Sequence, residues 1–408
     1  MMNNGGIKVT DNRKIDSEMW KPIDKNAEEM EKITRKSMTY WEDAWRRLKQ
    51  NKLSMLGLST IMIVLLMAIV GPMTSRYSYS DQNLKLTNIP PRFEIHQIDE
   101  NNFVYVHKEY KLYEVTEKGE IIDQIYPEEN NMKEKYRIYN IGGKNVKLDY
   151  SFAANGAIDE NGAEKKYMLT VDGNEIFPVE KVYNKTYWFG SDNLGRDIYV
   201  RVLYGARISL LIAFVATLVN FFIGVLYGGI AGFAGGRVDN IMMRIVDIIS
   251  TVPLMLYVIL LTVLIGSGLK SIIITLGSVY WVRMARIVRG QTLSLKEQEY
   301  VLAAKTLGAN NWRIMVRHLI PNAMGPIIVA MTMMIPNAIF TEAFLSFIGL
   351  GVSPPQASWG TLANDALGGI RTYGYALFFP SMAISITMMA FNLLGDGLRD
   401  ALDPRLRK

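Results

Sequence analysis

The chain has 408 residues, of which 49% are hydrophobic, and it carries 23 methionines, no cysteine and a formal net charge of +6. Without cysteine, the sequence excludes disulfides, thiolate metal sites and cysteine nucleophiles. Several apolar runs reach the roughly 20 residues that a helix needs to cross a bilayer, so the sequence predicts a polytopic membrane protein.

The first 52 residues are predicted to form a cytoplasmic tail that ends in an interfacial helix. Residues 1–36 are charged and poor in apolar side chains, a composition typical of a flexible segment. In the stretch 40–48, Trp41 and Trp45 stand four residues apart, as in an amphipathic helix that lies against lipid headgroups. Residues 53–73 follow as the first predicted transmembrane helix.

Residues 75–187 differ in composition from the rest of the chain and predict a β-rich insert. Period-2 alternation in Phe103–Val106 and in residues 121–126 is typical of strands, and turn signals occur at residues 118–119, 161–162 and 172–173. At about 110 residues the insert is large enough to bury a core of its own. Its role is open between a loop domain that packs on the outer face and a docking domain for an external partner.

Five further apolar runs predict the remaining transmembrane helices, at residues 208–227, 241–265, 271–288, 323–347 and 377–394. With the first helix they make six crossings, and residues 188–408 are predicted to form a five-helix core. A proton-driven transporter would need a carboxylate deep in these runs, and the sequence shows none there. We therefore expect an external energy source.

The distribution of Lys and Arg predicts the orientation of the helices. Basic residues crowd the stretches 46–52, 283–317 and 399–408, whereas the loops on the opposite side carry only Lys270 and Arg371. Because short cytoplasmic loops are enriched in Lys and Arg, both termini are predicted to be cytoplasmic and the insert extracytoplasmic. The same arrangement explains the net charge, so we predict no nucleic-acid partner.

A stripe of four glycines, Gly224, Gly228, Gly232 and Gly236, follows one face of the second helix at i+4 spacing. Glycine on one face lets a neighbouring helix approach closely, so the stripe predicts helix packing in the membrane. The neighbour is open between another helix of this chain and a helix of a second subunit.

Motifs for catalysis are absent from the sequence. No G-x-x-x-x-G-K-[ST] phosphate loop occurs, so ATP hydrolysis by that route is excluded. The three histidines, His96, His107 and His318, are divided between the two predicted sides of the membrane and do not form one metal site. Leu393 stands where the G-x-G-D motif of an intramembrane aspartyl protease needs glycine. We expect no catalytic residue and no metal site.

The polar, basic stretch 299–322 lies between two apolar spans and resembles the EAA loop of ABC importer permeases. Its pattern is Leu302-Ala303-Ala304, three residues, Gly308, nine residues, and His318-Leu319-Ile320-Pro321. The family's usual Glu is Leu302 here, and its usual Ile and Leu are His318 and Ile320. In such permeases this loop seats in a cleft of an ATPase subunit and transmits its motion to the membrane helices.

Residue types in this loop fit that role. The small Ala303 and Ala304 let a partner backbone come close, and Gly308 adopts the positive φ of a helix end at no steric cost. Pro321 is predicted to stop one segment and to start the next membrane helix. The predicted coupling residues are Leu302, Ala303, Ala304, Gly308, Ala309, Arg313 and Pro321.

Residues 189–210, 342–351 and 394–405 are similar to the C-type permease of dipeptide and oligopeptide importers. Ser191 stands where Thr is usual, and Val200 stands where Ser is usual. The resemblance covers about residues 38–80 and 186–408, with the insert outside it.

This resemblance implies a six-helix permease of the type I ABC importer fold, placed in the cell membrane as a multi-pass protein. It also implies a second homologous permease, two cytoplasmic ABC ATPases, an extracytoplasmic substrate-binding protein and a peptide substrate. ATP and magnesium would be bound by the ATPases, and this chain would hold no cofactor. The alternatives are import of nickel or another small solute, and a membrane receptor that senses its ligand through the insert.

Overall fold

The computed structural model describes residues 39–152, 166–266 and 268–403. The predicted flexible segment 1–36, the turn at 161–162 and the end of the motif at 404–405 lie outside the described residues. The chain divides into units 1–43 and 44–408. In the first unit, the backbone N–H of Thr39 donates to Glu42 Oε2 (2.8 Å), and this contact caps the start of helix α1, Tyr40–Gln50. Further along α1, Ala44 and Leu48 are buried and Trp45 is exposed.

The described residues of the insert form ten strands in two antiparallel sheets. The sheet orders are β10-β1-β2-β3-β4 and β5-β6-β7-β8-β9. The strands are β1 Arg92–Gln97, β2 Phe103–Val106, β3 Leu112–Val115, β4 Ile121–Ile125, β5 Glu129–Asn131, β6 Tyr136–Ile141, β7 Lys144–Asp149, β8 Met168–Val171, β9 Asn174–Ile176 and β10 Glu180–Tyr183.

Alternating side chains give the insert two hydrophobic cores. On β2, Tyr105 faces one core with Phe93 and Tyr113, whereas Val104 faces the other core. That second core joins the two sheets, because it also holds Leu148 and other buried residues of the second sheet. The first sheet is thus covered on both faces, as an insert with its own hydrophobic core requires.

The described helices of the membrane part follow the insert, apart from α2, Lys52–Thr74, which precedes it. They are α3 Ile198–Ala234, α4 Gly236–Thr251, α5 Leu254–Ile265, α6 Leu269–Val279, α7 Trp281–Leu295, α8 Glu299–Thr306, α9 Asn311–Ile314, α10 Ile320–Leu345, α11 Trp359–Asp365 and α12 Tyr375–Leu402. Two π-helical turns, Met315–Leu319 and Ser346–Leu350, continue α9 into α10 and extend α10 at its end.

Five spans within the described residues are long and apolar enough to cross a membrane: Lys52–Thr74, Ile198–Ala234, Leu269–Leu295, Asn311–Leu350 and Tyr375–Leu402. The first matches its predicted bounds closely. The others extend beyond the predicted apolar runs and include polar residues, some of which bond to other helices. In α3, for example, Arg207 donates from Nη2 to the carbonyl of Ile69 on α2 (2.6 Å) and from Nε to the carbonyl of Ala68.

The prediction of one straight helix over residues 241–265 is wrong. α4 and α5 meet at an angle of 84°, and the count of spans rises from five to six only if this bent pair is one crossing. The break follows from Pro253, which lacks a backbone N–H and disfavours helical geometry at the residue before it. Val252 accordingly has ψ 122°, in the extended region.

Helix α3 lies at the centre of the membrane part and packs against α2, α7 and α10. Trp359 at the start of α11 is buried against it and donates from Nε1 to the carbonyl of Val202 (2.9 Å). The segment between α10 and α12 therefore folds back onto α3 and closes the end of the bundle nearest the insert.

Candidate functional site

The predicted coupling loop begins with α8, which ends in a Schellman motif at Gly308. Gly308 has φ +78°, and its N–H donates to the carbonyl of Lys305 (2.9 Å). The N–H of Ala309 donates to the carbonyl of Ala304 (3.1 Å), the long-range bond of the same motif. The Asn310 side chain then caps α9 by accepting the Arg313 N–H (2.7 Å). Two successive caps thus fix the turn between α8 and α9.

Three buried side chains anchor this loop to the membrane helices. Val301, Ile314 and Leu319 form one cluster, and Phe233 of α3 and Leu295 of α7 pack against it. A shift of α8 and α9 therefore acts directly on the adjoining ends of α3 and α7.

The opposite side of the loop carries large apolar side chains that face solvent. Leu307 is 87% exposed, Trp312 is more than half exposed, and Leu302 is half exposed. Large exposed apolar side chains grouped on one short segment are typical of a protein contact surface. We call Leu302, Leu307 and Trp312 the exposed loop surface.

The other predicted coupling residues lie around this surface. Ala303, Arg313 and Pro321 are exposed, and Ala304 and Ala309 are half-buried. The expectation that Pro321 stops one segment is wrong, since the chain is helical from α9 through α10. Pro321 is the second residue of α10 and follows a π-helical turn, in which the N–H of Ile320 bonds the carbonyl of Met315. Because proline has no N–H, it cannot continue the ladder of hydrogen bonds, and the π-helical turn lies directly before it.

Three of the four stripe glycines lie directly against α7 of the same chain. A Cβ built on Gly228 would stand 2.3 Å from the carbonyl oxygen of Ala285, and one on Gly224 would stand 2.5 Å from Met284 Cβ. Gly232 is similarly close to the carbonyl oxygen of Arg289, at 2.9 Å. Gly236 does not share this contact, because it starts α4 with φ +52° and no atom lies within 4 Å of its added Cβ.

Ion pairs between helices hold α4 against α7 beside the loop. Arg289 donates to both carboxylate oxygens of Asp239 (2.5 and 2.6 Å), and Arg286 donates to Asp247 Oδ1 (3.0 Å). A local i+3 pair of Arg244 with Asp247 would also satisfy this carboxylate, but the structure pairs it with α7 instead. Sequence spacing reveals only local pairs, so these cross-helix partners were not predictable.

A carboxyl group is fully buried where α3, α10 and α11 meet. Glu342 has no exposed surface and accepts hydrogen bonds from Ser209 Oγ (2.8 Å) and Ser346 Oγ (2.7 Å). Ser358, which caps α11, donates to Ser346 Oγ (3.3 Å). Glu342 lies near the end of α10, and its partners among the described residues are hydroxyl groups. The network ties three elements together at the end of the bundle nearest the insert.

The segment before α3 forms a compact charged turn at the same end. Asp192 accepts the backbone N–H groups of Leu194 and Arg196 (both 2.9 Å) as well as side-chain bonds from Arg196 and Arg201. Asp197 caps α3 by accepting the Tyr199 N–H (2.9 Å), and burial raises the pKa of Asp197 to about 7. The Asp and Arg residues of the 189–197 motif thus hold this turn together through their hydrogen bonds.

One loop of the insert packs on this end of the bundle. The ring of His107 stacks on Tyr373 with centroids 6.0 Å apart, and Lys108 donates to the carbonyl of Thr372. The hydroxyl of Tyr373 donates to Glu109 Oε1 (3.3 Å). Burial lowers the pKa of His107, which favours its neutral form in this contact. Among the described residues, no group of three or more His, Asp or Glu side chains is placed to hold a metal ion.

Comparison with known proteins decides the family. The family described as "Binding-protein-dependent transport system inner membrane component" matches residues 224–408, and "N-terminal TM domain of oligopeptide transport permease C" matches residues 39–91. The oligopeptide transport system permease protein OppC of Bacillus subtilis (strain 168) is 42% identical over 394 residues, 97% of this chain and 99% of that relative. The chain belongs to this family of ABC transporter permeases.

Two further relatives are also peptide transport permeases. The dipeptide transport system permease protein DppC of Bacillus subtilis (strain 168) is 41% identical over 93% of this chain and 90% of its own length. OppC of Haemophilus influenzae is 44% identical over 54% of this chain and 71% of its own length. A solved MetNI methionine ABC transporter in an inward-facing conformation shows 19% identity and a TM-score of 0.40 over 50% of this chain and 96% of that chain.

Membership in the permease family corrects one expectation and fixes the class. Because the alignment with Bacillus subtilis OppC covers 97% of the chain, it includes the insert, which was expected to lie outside the resemblance. The permease is a non-enzymatic, multi-pass membrane subunit, and ATP hydrolysis belongs to partner ATPases of the transporter.

Proposed function

We propose that this chain is the permease subunit of an ATP-driven importer of oligopeptides or dipeptides. The permeases named above, which are 41–44% identical to it, are oligopeptide and dipeptide transport proteins. The proposed substrate is a short peptide delivered by an extracytoplasmic substrate-binding protein.

The observation that carries the proposal is the exposed loop surface on a rigid, anchored loop. Leu302, Leu307 and Trp312 face solvent, while the buried side chains of the same loop pack on α3 and α7. An apolar surface of this kind needs a partner, and in the proposal that partner is a cytoplasmic ABC ATPase. One of two such ATPases would dock here, and the other would dock on a second, homologous permease.

The proposed topology has six crossings, with the bent pair α4 and α5 as the third. The loop then lies in the cytoplasm with both termini, and the insert lies outside. The basic residues of α7 and the loop support this orientation, since cytoplasmic segments near helix ends are enriched in Lys and Arg.

Coupling then follows from the packing of the loop. ATP binding closes the two ATPases and moves α8 and α9, and the buried anchors carry that motion to the ends of α3 and α7. The helices turn the transport pathway outward to receive peptide, and hydrolysis returns it inward. The Schellman turn and the Asn310 cap make the loop rigid enough to transmit this motion.

Uptake by cells tests the substrate. The chain is expressed together with the partner permease, ATPases and substrate-binding protein of its complex in a host that lacks its own peptide importers. We expect accumulation of radiolabelled trialanine and no accumulation of labelled nickel, with an empty-vector strain as the control. Accumulation of nickel without trialanine would replace the peptide assignment, and accumulation of neither by an intact, assembled complex would contradict both.

A further inference from the structure

A cavity of about 270 Å³ lies at the end of the bundle nearest the insert, between the turn before α3 and the segment joining α11 to α12. Its apolar wall includes Ile198, Leu362 and Ala376, and its charged wall includes Arg201 and Asp365. None of the contacts described for coupling involves this cavity.

Two guanidinium groups are buried beside it. The side chains of Arg196 and Arg201 are 8% and 3% exposed, and both donate to Asp192 Oδ2, Arg196 from Nε at 2.7 Å. Because Asp192 also accepts two backbone N–H groups on Oδ1, its acceptor capacity is in full use. Asp192 therefore neutralises one of the two cations and has no room for more donors.

Asp365 holds the second cation much more loosely. A single oxygen, Oδ2, accepts from Arg196 Nη2 at 3.3 Å and from Arg201 Nη2 at 3.4 Å. The Asp365 side chain is 40% exposed, and an ion pair with an exposed partner contributes little to stability. Because the Asp365 carboxylate already reaches solvent, it can turn away from the two arginines and be hydrated by water instead.

Arg201 also has one N–H donor without a hydrogen-bond partner among the described residues. This donor is its buried Nε. An unused buried N–H normally costs free energy, and a guanidinium fork matches a carboxylate with two oxygens better than one distant oxygen. The residues that line the cavity thus include a cation with an unused donor and an exchangeable carboxylate.

We propose that this cavity is a binding site for the carboxylate of an incoming peptide, with Arg201 as its main donor. Asp365 occupies the site when no peptide is present and is displaced by the peptide's C-terminal carboxylate. The apolar wall then contacts the last side chain of the peptide. The inference rests on the proposed function for the choice of a peptide, whereas the carboxylate chemistry rests on the cluster itself.

Binding to the purified, full-length chain in lipid nanodiscs tests the site. The probes are trialanine and trialanine amide, which differ only at the C-terminal group. We expect trialanine to bind more tightly than the amide, and we expect Asp365→Asn to lower the Kd of trialanine by about threefold or more because it removes the competing carboxylate. The amide should bind to this variant no better than to the unchanged chain.

Two further variants sharpen the test. Asp123→Asn makes the same change in charge at an exposed carboxylate of β4, which pairs with Lys85 on the surface, and should leave both Kd values unchanged. Arg201→Lys keeps the charge but removes the guanidinium fork, and should reduce the preference for the acid over the amide. If this variant does not insert, Asp365→Asn alone decides the result.

The proposal is wrong if acid and amide bind equally, if neither binds, or if Asp123→Asn gives the same gain as Asp365→Asn. These outcomes are separate from failure of the proposed function, which the uptake assay reports. If the chain supports trialanine uptake but binds acid and amide equally, the proposed site is wrong and the transport assignment stands. If it binds the acid more tightly but does not support uptake, the site stands and the transport assignment is wrong.

Discussion

Gly308→Val should reduce peptide uptake by about tenfold or more while leaving the chain in the membrane at its normal level. Gly308 has φ +78°, which costs an L-residue roughly 1–2 kcal/mol and a β-branched residue more. Relief of that strain unwinds the Schellman turn, so α8 and α9 lose their fixed angle and the exposed loop surface no longer fits an ATPase. Uptake of labelled trialanine, normalised to the amount of membrane-inserted chain, measures the effect.

Two control variants separate strain from bulk. A Cβ at Gly308 meets no atom within 4 Å, so an effect of Val arises from backbone conformation and not from a clash inside the chain. Gly308→Asn should retain most of the uptake, because Asn tolerates positive φ far better than Val. Gly290→Val adds the same side chain at an open helical position of α7 and should be neutral. Normal uptake by Gly308→Val would contradict the role assigned to the turn.

Gly228→Ala should lower the stability of the chain by roughly 1–3 kcal/mol, the usual cost of overpacking a tight contact. The new Cβ would stand 2.3 Å from the carbonyl oxygen of Ala285, and a backbone atom cannot rotate away. Helices α3 and α7 must therefore separate, and this contact is the most extensive helix pair in the membrane part. Thermal unfolding of the purified chain in nanodiscs, followed by tryptophan fluorescence, measures the loss.

Its neighbour supplies the matched control. A Cβ on Gly229 would meet only the Met315 side chain, with Sδ at 3.4 Å, an ordinary van der Waals distance to a flexible group. Gly229→Ala should leave stability unchanged or raise it slightly, since Ala favours the helix over Gly. Equal unfolding temperatures for the two variants would mean that the stripe does not set the approach of α7.

Local features of the fold were predictable from the sequence. The alternation in Phe103–Val106 predicted a strand, and the structure has β2 at those residues. Gly308 was expected at a positive-φ helix end, and it has φ +78° after α8. The strand and the helix end both depend on the conformational preferences of a few adjacent residues, so the local sequence is enough to predict them.

Features that depend on distant residues were not predictable. The bend at Pro253 was missed because the two helices together are long and apolar enough for one span, although the proline itself was a signal for a break. The true length of α3 was hidden because Arg201 and Arg207 find partners on other elements. Glu342 lies near the end of α10, but its full burial could not be read from that position, because it depends on serines from two other segments that surround it.

The candidate site shows the same division. The Gly stripe predicted close packing, but the identity of the neighbour, α7 of the same chain, needed the structure. The exposed loop surface was visible in the sequence only as a resemblance, since Leu302, Leu307 and Trp312 reveal nothing about exposure by themselves. The cluster of Arg196, Arg201 and Asp365 joins positions more than 160 residues apart, which no local pattern reports.

The central claim is that this chain couples to ATPases it does not contain, and co-purification tests it most directly. The tagged chain is extracted from its native membranes in mild detergent, and the proteins that accompany it are identified by mass spectrometry. We predict two P-loop ATPases and a second, homologous permease in the same complex. Their reproducible absence from preparations of intact chain would contradict the account and would favour a membrane receptor instead.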